Sequence, residues 1–350
     1  MQQYEPDFTR VVDAAWNRPT DRLPLYEHAV SSEVLGALLG RDVGSLLSGD
    51  ERDREEGFRV SSRYLASLGY DVYPYEGCIT ELVQGGQGLM GRAGPIIRDR
   101  HDLEGYPWDE LPDRYFERFG PSFDALERAL APGMKAVAGV GNGPFEIAQD
   151  FVPLTDLAYL EVDDPDTFAL LWRRIGEAMH TIWTRFLERY GETFCVCRVG
   201  DDFGFKTSLL MRPQTFREHM LPQYRRIVEL VHAQRKPFLL HSCGAIWEVM
   251  DDLIDGAGID AKHSNEDAIA PFSRWLERYG ERIGNFGGVD MNVLCEEDEA
   301  GVRAYVREVL GSVRGYSGVA IGSGNQIADY VPPAGFLAMV ETVREFRGDG

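Results

Sequence analysis

Positive charge is scarce in this 350-residue chain. Its 36 lysines and arginines face 57 aspartates and glutamates, which leaves a formal charge of −21 at pH 7. Proteins bind nucleic acid mainly by neutralising phosphates with basic side chains, so this balance argues against a nucleic-acid ligand. It also disfavours a polyanionic substrate, although a local cluster of arginines could override the overall field.

Long apolar runs and a disulfide framework are also lacking. No apolar run approaches the roughly 20 residues that a membrane span requires, and the first six residues lack the basic and apolar regions of a signal peptide. The five cysteines are odd in number and have no framework spacing, which is typical of a reducing environment. We therefore predict a cytoplasmic protein without a membrane partner.

The signatures of the nucleotide-binding folds are missing as well. No Gly-x-Gly-x-x-Gly comes directly after a predicted strand, and no Gly-Lys-Ser/Thr phosphate loop occurs. The chain instead alternates short apolar runs, each ending at polar residues, with amphipathic segments of helical period. About seven such repeats indicate βα units with parallel strands. That number favours a closed (β/α)₈ barrel of the TIM type over an open doubly wound sheet.

The repeats are regular over residues 131–350 and irregular before them. We predict a single domain over residues 1–350, in which residues 1–130 form a helical N-terminal cap and the first barrel unit. The clearest predicted helix has Asp164 as its N-cap and Pro165 at its first position. The predicted strands are the apolar runs at 70–75, 134–140, 193–199, 238–240, 258–261, 283–286 and 319–321, with 22–26 as a weaker candidate.

Polar residues at the strand ends become candidates for function because the carboxyl ends of barrel strands converge on one mouth, where chemistry occurs. These residues are Asn142, Asp201, Asp202, His241, Cys243, His263, Asp290 and Asn325. For the two adjacent aspartates, a turn or helix-cap role is about as well supported as a catalytic one. His263 precedes good N-cap residues, which leaves a structural role open. Cys295 precedes an acidic helix start and is predicted to be a packed loop thiol.

The most informative pair is His241 and Cys243, which follow an apolar run of strand length. On a strand, residues i and i+2 point to the same face, so the two side chains would project side by side. Imidazole and thiolate are the ligands that Zn²⁺ prefers. The alternative is a buried cysteine beside a histidine that is bonded to the backbone, since two ligands do not make a metal site.

Several motifs together resemble the uroporphyrinogen decarboxylase superfamily, and the resemblance is densest over residues 198–325. They read Asp201-Asp202-Phe203-Gly204, Arg212-Pro213, His241-Ser242-Cys243-Gly244 and Gly287-Gly288-Val289-Asp290. The resemblance implies a (β/α)₈ barrel, in agreement with the count of repeats. That superfamily contains true porphyrinogen decarboxylases and also methyltransferases that work with corrinoid proteins.

Two absences favour the methyltransferase branch. The decarboxylases carry a Met-Arg-Gln-Ala-Gly-Arg segment near the N-terminus, which residues 17–24 lack, and a Gly-His-Gly where this chain has Gly322-Ser323-Gly324. The resemblance implies that His241 and Cys243 are zinc ligands, and Asn325 stands where that branch has a late cysteine. Any further ligand would then come from one of six side chains, namely Asp201, Asp202, His263, Glu27, Glu76 and Cys295.

From this resemblance we predict a zinc-assisted methyltransferase that moves a methyl group between a small methylated compound and a cobamide supplied on a partner protein. Asp201, Asp202 and His263 are its predicted catalytic residues. The predicted substrate-binding residues are Asn142, Phe203, Lys206, Asp290 and Asn325. One alternative is a metal-free decarboxylase or lyase acting on a small organic acid or porphyrinogen, with Arg198 or Lys206 holding a carboxylate. Another is a non-catalytic tetrapyrrole-binding protein, and a homodimer is left open.

Overall fold

The computed structural model describes residues 4–83 and 94–349. It contains one parallel sheet of seven strands, in the spatial order in which they occur along the chain. The strands are β1 (Val72–Cys78), β2 (Lys135–Gly141), β3 (Phe194–Gly200), β4 (Phe238–His241), β5 (Ala261–His263), β6 (Gly284–Val289) and β7 (Val319–Ser323). Each predicted strand of the main series is confirmed, with boundaries shifted by up to three residues.

Helices occupy the connections between strands, as parallel neighbours require. The α-helices are α1 (Thr9–Ala15), α2 (Ser32–Leu39), α3 (Val43–Ser48), α4 (Glu51–Leu68), α5 (Arg100–Gly105), α6 (Leu111–Ala129), α7 (Pro144–Phe151), α8 (Leu154–Asp163), α9 (Pro165–Tyr190), α10 (Pro213–Thr215), α11 (Leu221–Ala233), α12 (Phe272–Tyr279), α13 (Met291–Glu296), α14 (Glu299–Ser312) and α15 (Pro333–Arg347). Short 3₁₀ segments lie at Ile79–Leu82 and Trp108–Glu110, and π-helical turns at Phe216–Met220 and Asp252–Ala257.

The start of α9 illustrates how local sequence sets an element. The Asp164 carboxylate accepts the backbone N–H of Thr167, and Pro165 occupies the first turn, where its missing N–H costs nothing. Along the helix, residues such as Phe168, Leu171 and Trp172 are buried. The helix predicted here is confirmed. No helix in the described ranges is long and apolar enough to cross a membrane.

The sheet curls around an inner apolar cluster to which all seven strands contribute. Its members are Val11, Ala14, Ala15, Tyr26, Val72, Val137, Cys195, Val196, Leu239, Ala261, Phe286 and Ala320. The strand residues among them lie near the beginning of each strand, and three others belong to α1. The helix therefore covers the amino ends of the strands. The carboxyl ends remain for the polar residues that follow the strands.

The weaker strand candidate at 22–26 forms only an isolated parallel bridge, between Leu25 and Ile321 of β7. Two backbone hydrogen bonds hold it there, from Tyr26 N–H to the Ile321 carbonyl and from Ile321 N–H to the Pro24 carbonyl, each 2.9 Å long. Gly322 permits this close approach, because a Cβ at that position would lie 1.6 Å from the carbonyl oxygen of Tyr26.

We expect Gly322→Ala to lower the free energy of unfolding by about 3 kcal/mol, because the added methyl would push the Tyr26 backbone off β7. Denaturant unfolding measures the change. Gly311→Ala is the matched control, since Gly311 lies in α14 with nothing within 4 Å of the added Cβ. It should raise stability by up to about 1 kcal/mol through helix propensity. Equal stability of the Gly322 variant and wild type would contradict the close contact.

Candidate functional site

Two histidines lie side by side at the carboxyl edge of the sheet. The register of β4 and β5 pairs His241 with His263, so the last residues of both strands stand at the same level. Their rings meet through their Nδ1 atoms at 2.7 Å. On its other side, the Nε2 atom of His263 lies 3.0 Å from the carbonyl oxygen of Ser323 at the end of β7.

Cys243 follows the end of β4 and turns its thiol toward the free edge of the His241 ring. Its Sγ lies 3.6 Å from Nε2 of His241. The next residue, Gly244, has a φ of 89° and packs so tightly on Gly204 that a Cβ would lie 2.2 Å from the Gly204 carbonyl carbon. Only glycine suits this turn, and the turn directs the cysteine side chain into the site.

Asp202 completes a group of three ligand atoms around one point. Its Oδ1 lies 3.7 Å from Nε2 of His241 and accepts the backbone N–H of Cys243 at 2.8 Å. The carboxylate oxygen, the imidazole nitrogen and the Cys243 sulfur all lie within 4.8 Å of one another. Ligands bonded to tetrahedral Zn²⁺ at their usual 2.0–2.3 Å are about 3.3–3.8 Å apart, and the separations of 3.6 and 3.7 Å from His241 agree with that spacing. These residues therefore fit a zinc ion.

The protonation states suit a cation site. Burial lowers the pKa of His241 well below its usual value and that of His263 to about 3, and both rings are therefore neutral, the form in which imidazole binds metals. Burial, reinforced by the charge of Asp202, raises the pKa of the Cys243 thiol. The thiol therefore keeps its proton until a metal displaces it.

A third histidine, His28, packs on the other two. Its ring centroid lies 3.8 Å from that of His241, and its Nε2 lies 3.7 Å from Oε1 of Glu76. Burial, together with the nearby charge of Arg198, lowers its pKa well below the usual value. His28, His241 and His263 form a second set of possible ligands within 4.8 Å. His28 lies two residues after the weaker strand candidate at 22–26 and is not among the site residues predicted from the sequence.

Asp201 and Asp202 are neighbours in sequence with different surroundings. The Asp201 carboxylate is buried and accepts the backbone N–H groups of Phe145 and Glu146 at 3.1 and 2.8 Å, at the start of α7. It also accepts the hydroxyl of Tyr224. Burial raises its pKa to about 7. The structure thus places Asp201 as a cap for α7 and Asp202 at the site.

Glu146 is a further acid at the site, half-buried, and is not among the residues predicted from the sequence. It accepts the backbone N–H of Asp202 at 3.2 Å and the amide of Asn142 at 2.7 Å. Asn142 in turn accepts the Thr80 hydroxyl at 2.9 Å. Burial and the charges of Asp201 and Asp202 raise the pKa of Glu146 well above its usual value. Its only signal in the sequence is its place four residues after the strand-end Asn142.

Of the other predicted substrate-binding residues, Asn325 and Asp290 line a cavity beside Cys243, whereas Phe203 and Lys206 do not line it. Asn325 lies with its amide nitrogen 3.5 Å from the Cys243 sulfur, inside the group. Phe203 is fully buried against Phe216, away from solvent. Lys206 is exposed and pairs with Glu266 at 2.9 Å. The Asp290 carboxylate caps α13 by accepting the backbone N–H of Asn292 at 2.7 Å.

The three remaining ligand candidates also have other partners or positions. Glu27 is bonded to Tyr70 and Ser323, and Glu76 forms a 2.8 Å ion pair with Arg198. Cys295 is half-buried in α13 and packs against the main apolar core, as predicted.

A cavity of about 170 Å³ opens beside Cys243. Among the described residues its walls include Ser264, Trp275, Asn325 and Tyr330, and no arginine or lysine. Ser264 brings its hydroxyl to 3.3 Å from the Cys243 sulfur. Below the cavity, the Lys262 ammonium donates to the Ser264 carbonyl and lies 3.7 Å from the centre of the Trp275 ring. Burial lowers the pKa of Lys262 to about 7. Glu266 and Asp290 also line the cavity, so a small neutral or positively charged compound would fit there with its reactive atom next to Cys243.

A curled parallel sheet with helical connections and a polar site at its carboxyl edge defines an α/β protein of the TIM-barrel-like class. Within that class the family model for uroporphyrinogen decarboxylase (URO-D) matches residues 88–346. The chain belongs to the uroporphyrinogen decarboxylase family, whose members are enzymes.

Individual relatives are distant. A uroporphyrinogen decarboxylase of Pelobacter propionicus is 23% identical over 351 residues, which covers 96% of this chain and 98% of the relative. Among solved structures, a methyltransferase from Methanosarcina mazei is similar with a TM-score of 0.74 and 19% identity, covering 98% of this chain and 99% of that one. A putative vitamin-B12-independent methionine synthase from Listeria monocytogenes has a TM-score of 0.52 and 13% identity, covering 95% and 98%. At these identities the structural likeness establishes the fold.

Proposed function

We propose that this chain is a zinc-assisted methyltransferase that moves a methyl group between a small methylated compound and a corrinoid carried by a partner protein. The observation that carries the proposal is the group formed by Asp202, His241 and Cys243, whose three ligand atoms lie within 4.8 Å of one another, with Cys243 lining a cavity. The fold shared with the Methanosarcina mazei methyltransferase also supports it.

The three side chains would hold zinc, and a catalytic zinc with three protein ligands keeps a further position for water or substrate. When bound, zinc supplies a Lewis acid for the heteroatom that carries or receives the methyl group. Asp202 holds the Cys243 backbone in place through its 2.8 Å hydrogen bond, and its charge offsets that of the metal. Ser264 and Asn325, both within hydrogen-bonding distance of the sulfur, orient the Cys243 thiolate from two sides.

The mouth of the cavity suits a protein partner. Tyr330 lines the cavity and is 68% exposed. Phe205 is 58% exposed, and its carbonyl oxygen accepts the backbone N–H of Ala245, the residue after Gly244. Exposed aromatic side chains are enriched where proteins dock. We propose that the corrinoid protein covers this mouth, in keeping with a cytoplasmic enzyme whose sequence has no Asp-x-His-x-x-Gly corrinoid motif.

We further propose that residues 1–350 form one barrel domain, with segment 22–26 as its eighth strand position. Its bridge to β7 supports this, as does the place of Tyr26 in the inner cluster. In this proposal α1 to α4 form the N-terminal cap, because all four precede β1 and α1 covers the amino ends of the strands.

Two observations disfavour the decarboxylase and tetrapyrrole alternatives. Arg198 is buried and already bonded to Glu76, Tyr26 and the His28 carbonyl, and Lys206 is paired at the surface. Neither is available to hold a substrate carboxylate. The cavity of about 170 Å³ is also smaller than the roughly 300–1,000 Å³ pockets that hold drug-sized ligands, and a porphyrinogen is larger still.

Metal analysis tests the proposal most directly. Protein purified without chelator, or reconstituted with zinc, should contain about one tightly bound zinc per chain, as a three-ligand site does. The protein should then methylate cob(I)alamin, followed by absorbance, with one member of a panel of methylated amines, thiols and alcohols. Absence of zinc after reconstitution would remove the metal from the proposal. Zinc binding without methyl transfer to or from any member of the panel would oppose the methyltransferase function.

A further inference from the structure

A chain of hydrogen bonds runs from the buried Glu27 to the far side of the candidate zinc ligand His241. Glu27 accepts the backbone N–H of Ser323 at 3.2 Å and also the Ser323 hydroxyl. The Ser323 carbonyl oxygen lies 3.0 Å from Nε2 of His263. Nδ1 of His263 then meets Nδ1 of His241 at 2.7 Å.

The chemistry of these groups allows only one arrangement of protons between neutral rings. A carbonyl oxygen can only accept, so Nε2 of His263 must carry the hydrogen. A neutral imidazole has one ring hydrogen, which leaves Nδ1 of His263 as an acceptor. The 2.7 Å contact then requires the hydrogen to be on Nδ1 of His241. Burial beside the Arg198 guanidinium keeps both rings neutral.

The consequence appears at the other nitrogen of His241. With its hydrogen on Nδ1, the ring presents a bare lone pair on Nε2, the atom that lies 3.6 Å from the Cys243 sulfur and 3.7 Å from Asp202. In the opposite tautomer the hydrogen is on Nε2, where it would prevent that nitrogen from binding a metal. The tautomer of His241 therefore decides whether the site can hold a metal.

Glu27, the first residue in this series of hydrogen bonds, is anchored by a different part of the fold. Glu27 is 2% exposed, follows the segment that bridges to β7, and receives the Tyr70 hydroxyl at 3.0 Å. By gripping both the N–H and the hydroxyl of Ser323, it holds the Ser323 peptide at the end of β7. The carbonyl on which His263 depends is thereby kept in place.

We propose that Glu27, acting through Ser323, and His263 are positioning residues that hold His241 in the tautomer with a free Nε2 lone pair. The inference rests on the proposed zinc function for its consequence, whereas the tautomer itself is a property of the metal-free chain. His263 therefore acts from behind the ligand and touches neither the cavity nor the metal. Its role differs from the catalytic role predicted from the sequence.

The tautomers can be read without any metal. Long-range ¹⁵N–¹H spectra of histidine-labelled, metal-free protein distinguish the two neutral forms, and the seven histidines can be assigned from single variants. We expect the hydrogen on Nδ1 in His241 and on Nε2 in His263. A hydrogen on Nε2 of His241 in the wild-type protein would overturn the proposal, whether or not zinc binds.

Zinc affinity, measured by competition with a chromogenic chelator, provides the second readout. His263→Leu removes the acceptor and should weaken zinc binding about 10–100-fold, the usual cost of losing a partner behind a metal ligand. His263→Asn places an oxygen acceptor near the former Nδ1 and should stay within about threefold of wild type. Unchanged affinity in the leucine variant, with wild-type circular dichroism and thermal unfolding of the metal-free protein, would overturn the inference.

Glu27→Gln tests the far end of the hydrogen-bond series from His241. It also provides a second test of the inference if His263→Leu does not fold. In glutamine, an NH₂ donor replaces one of the two acceptor oxygens and would face the N–H and hydroxyl donors of Ser323. Zinc affinity should therefore fall, as in His263→Leu. The ¹⁵N spectrum should show a mixture of His241 tautomers. A single Nδ1–H form with wild-type affinity would show that Glu27 has no positioning role. Failure of the wild-type chain to bind zinc, with the expected tautomers present, would count against the proposed function and leave the positioning inference supported.

Discussion

Replacing Cys243 by serine should weaken zinc binding by about two orders of magnitude. Four-ligand structural zinc sites have apparent binding free energies of 10–16 kcal/mol, or roughly 3 kcal/mol for each ligand, and 1.4 kcal/mol is a factor of ten. A serine hydroxyl is nearly isosteric but does not ionise like a thiol, so the variant loses the ligand while keeping the 2.8 Å bond from its backbone N–H to Asp202. Chelator competition at pH 7 measures the loss.

Cys295→Ser is the matched control. Both cysteines are half-buried and free, but Cys295 packs against the apolar core in α13. Its replacement should leave zinc affinity unchanged. The reverse pattern, with loss in the Cys295 variant and wild-type affinity in the Cys243 variant, would show that the metal lies elsewhere.

Asp202→Asn should reduce turnover by about 10²–10⁴-fold at saturating zinc, the range expected for a charged group in direct contact with the reacting centre. The amide retains an oxygen that can accept the Cys243 N–H, so the loop geometry is preserved while the carboxylate ligand and its negative charge are lost. That charge lies 3.7 Å from the His241 nitrogen in a largely buried setting, where its effect is strong. Methylation of cob(I)alamin with the donor found in the panel provides the rate.

Asp201→Asn supplies the contrast from the adjacent position. The Asp201 carboxylate caps α7 and accepts the Tyr224 hydroxyl. The NH₂ group of an asparagine would face one of these donors, so the substitution should lower the free energy of unfolding by about 1–3 kcal/mol. Turnover per folded molecule should change much less than in Asp202→Asn. If the Asp202 variant loses less than about tenfold, Asp202 is a structural cap and not part of the reacting centre.

The strand positions could be predicted because apolar runs of strand length are local features. Because a parallel sheet is covered on both faces, most of these strands are buried along nearly their whole length, as at 194–200 and 284–289. The segment at 22–26 was harder to interpret. It is held by two hydrogen bonds to β7 and by a close approach to Gly322, contacts nearly 300 residues away in sequence that leave little local pattern.

The candidate site could be predicted only in part. The His-x-Cys spacing already placed His241 and Cys243 on one side of a strand end. The sequence does not indicate whether Asp201 or Asp202 approaches them. Adjacent residues of an extended segment point to opposite faces, and the sequence does not show which face lies next to His241 and Cys243. His28 went unselected for a similar reason, since its position follows from the docking of residues 22–30 on β7.

By itself, the sequence determined the alternation of strands and helices, the parallel α/β class, the family and the pair His241 and Cys243, because period, spacing and motif are carried by neighbouring residues. Tertiary structure alone decided that Asp202 joins this pair, that Asp201 caps α7 and that His263 stands behind His241 with Ser323. Those relations depend on strand register and on distances of a few ångströms between segments far apart in the chain. Only the folded backbone sets such distances.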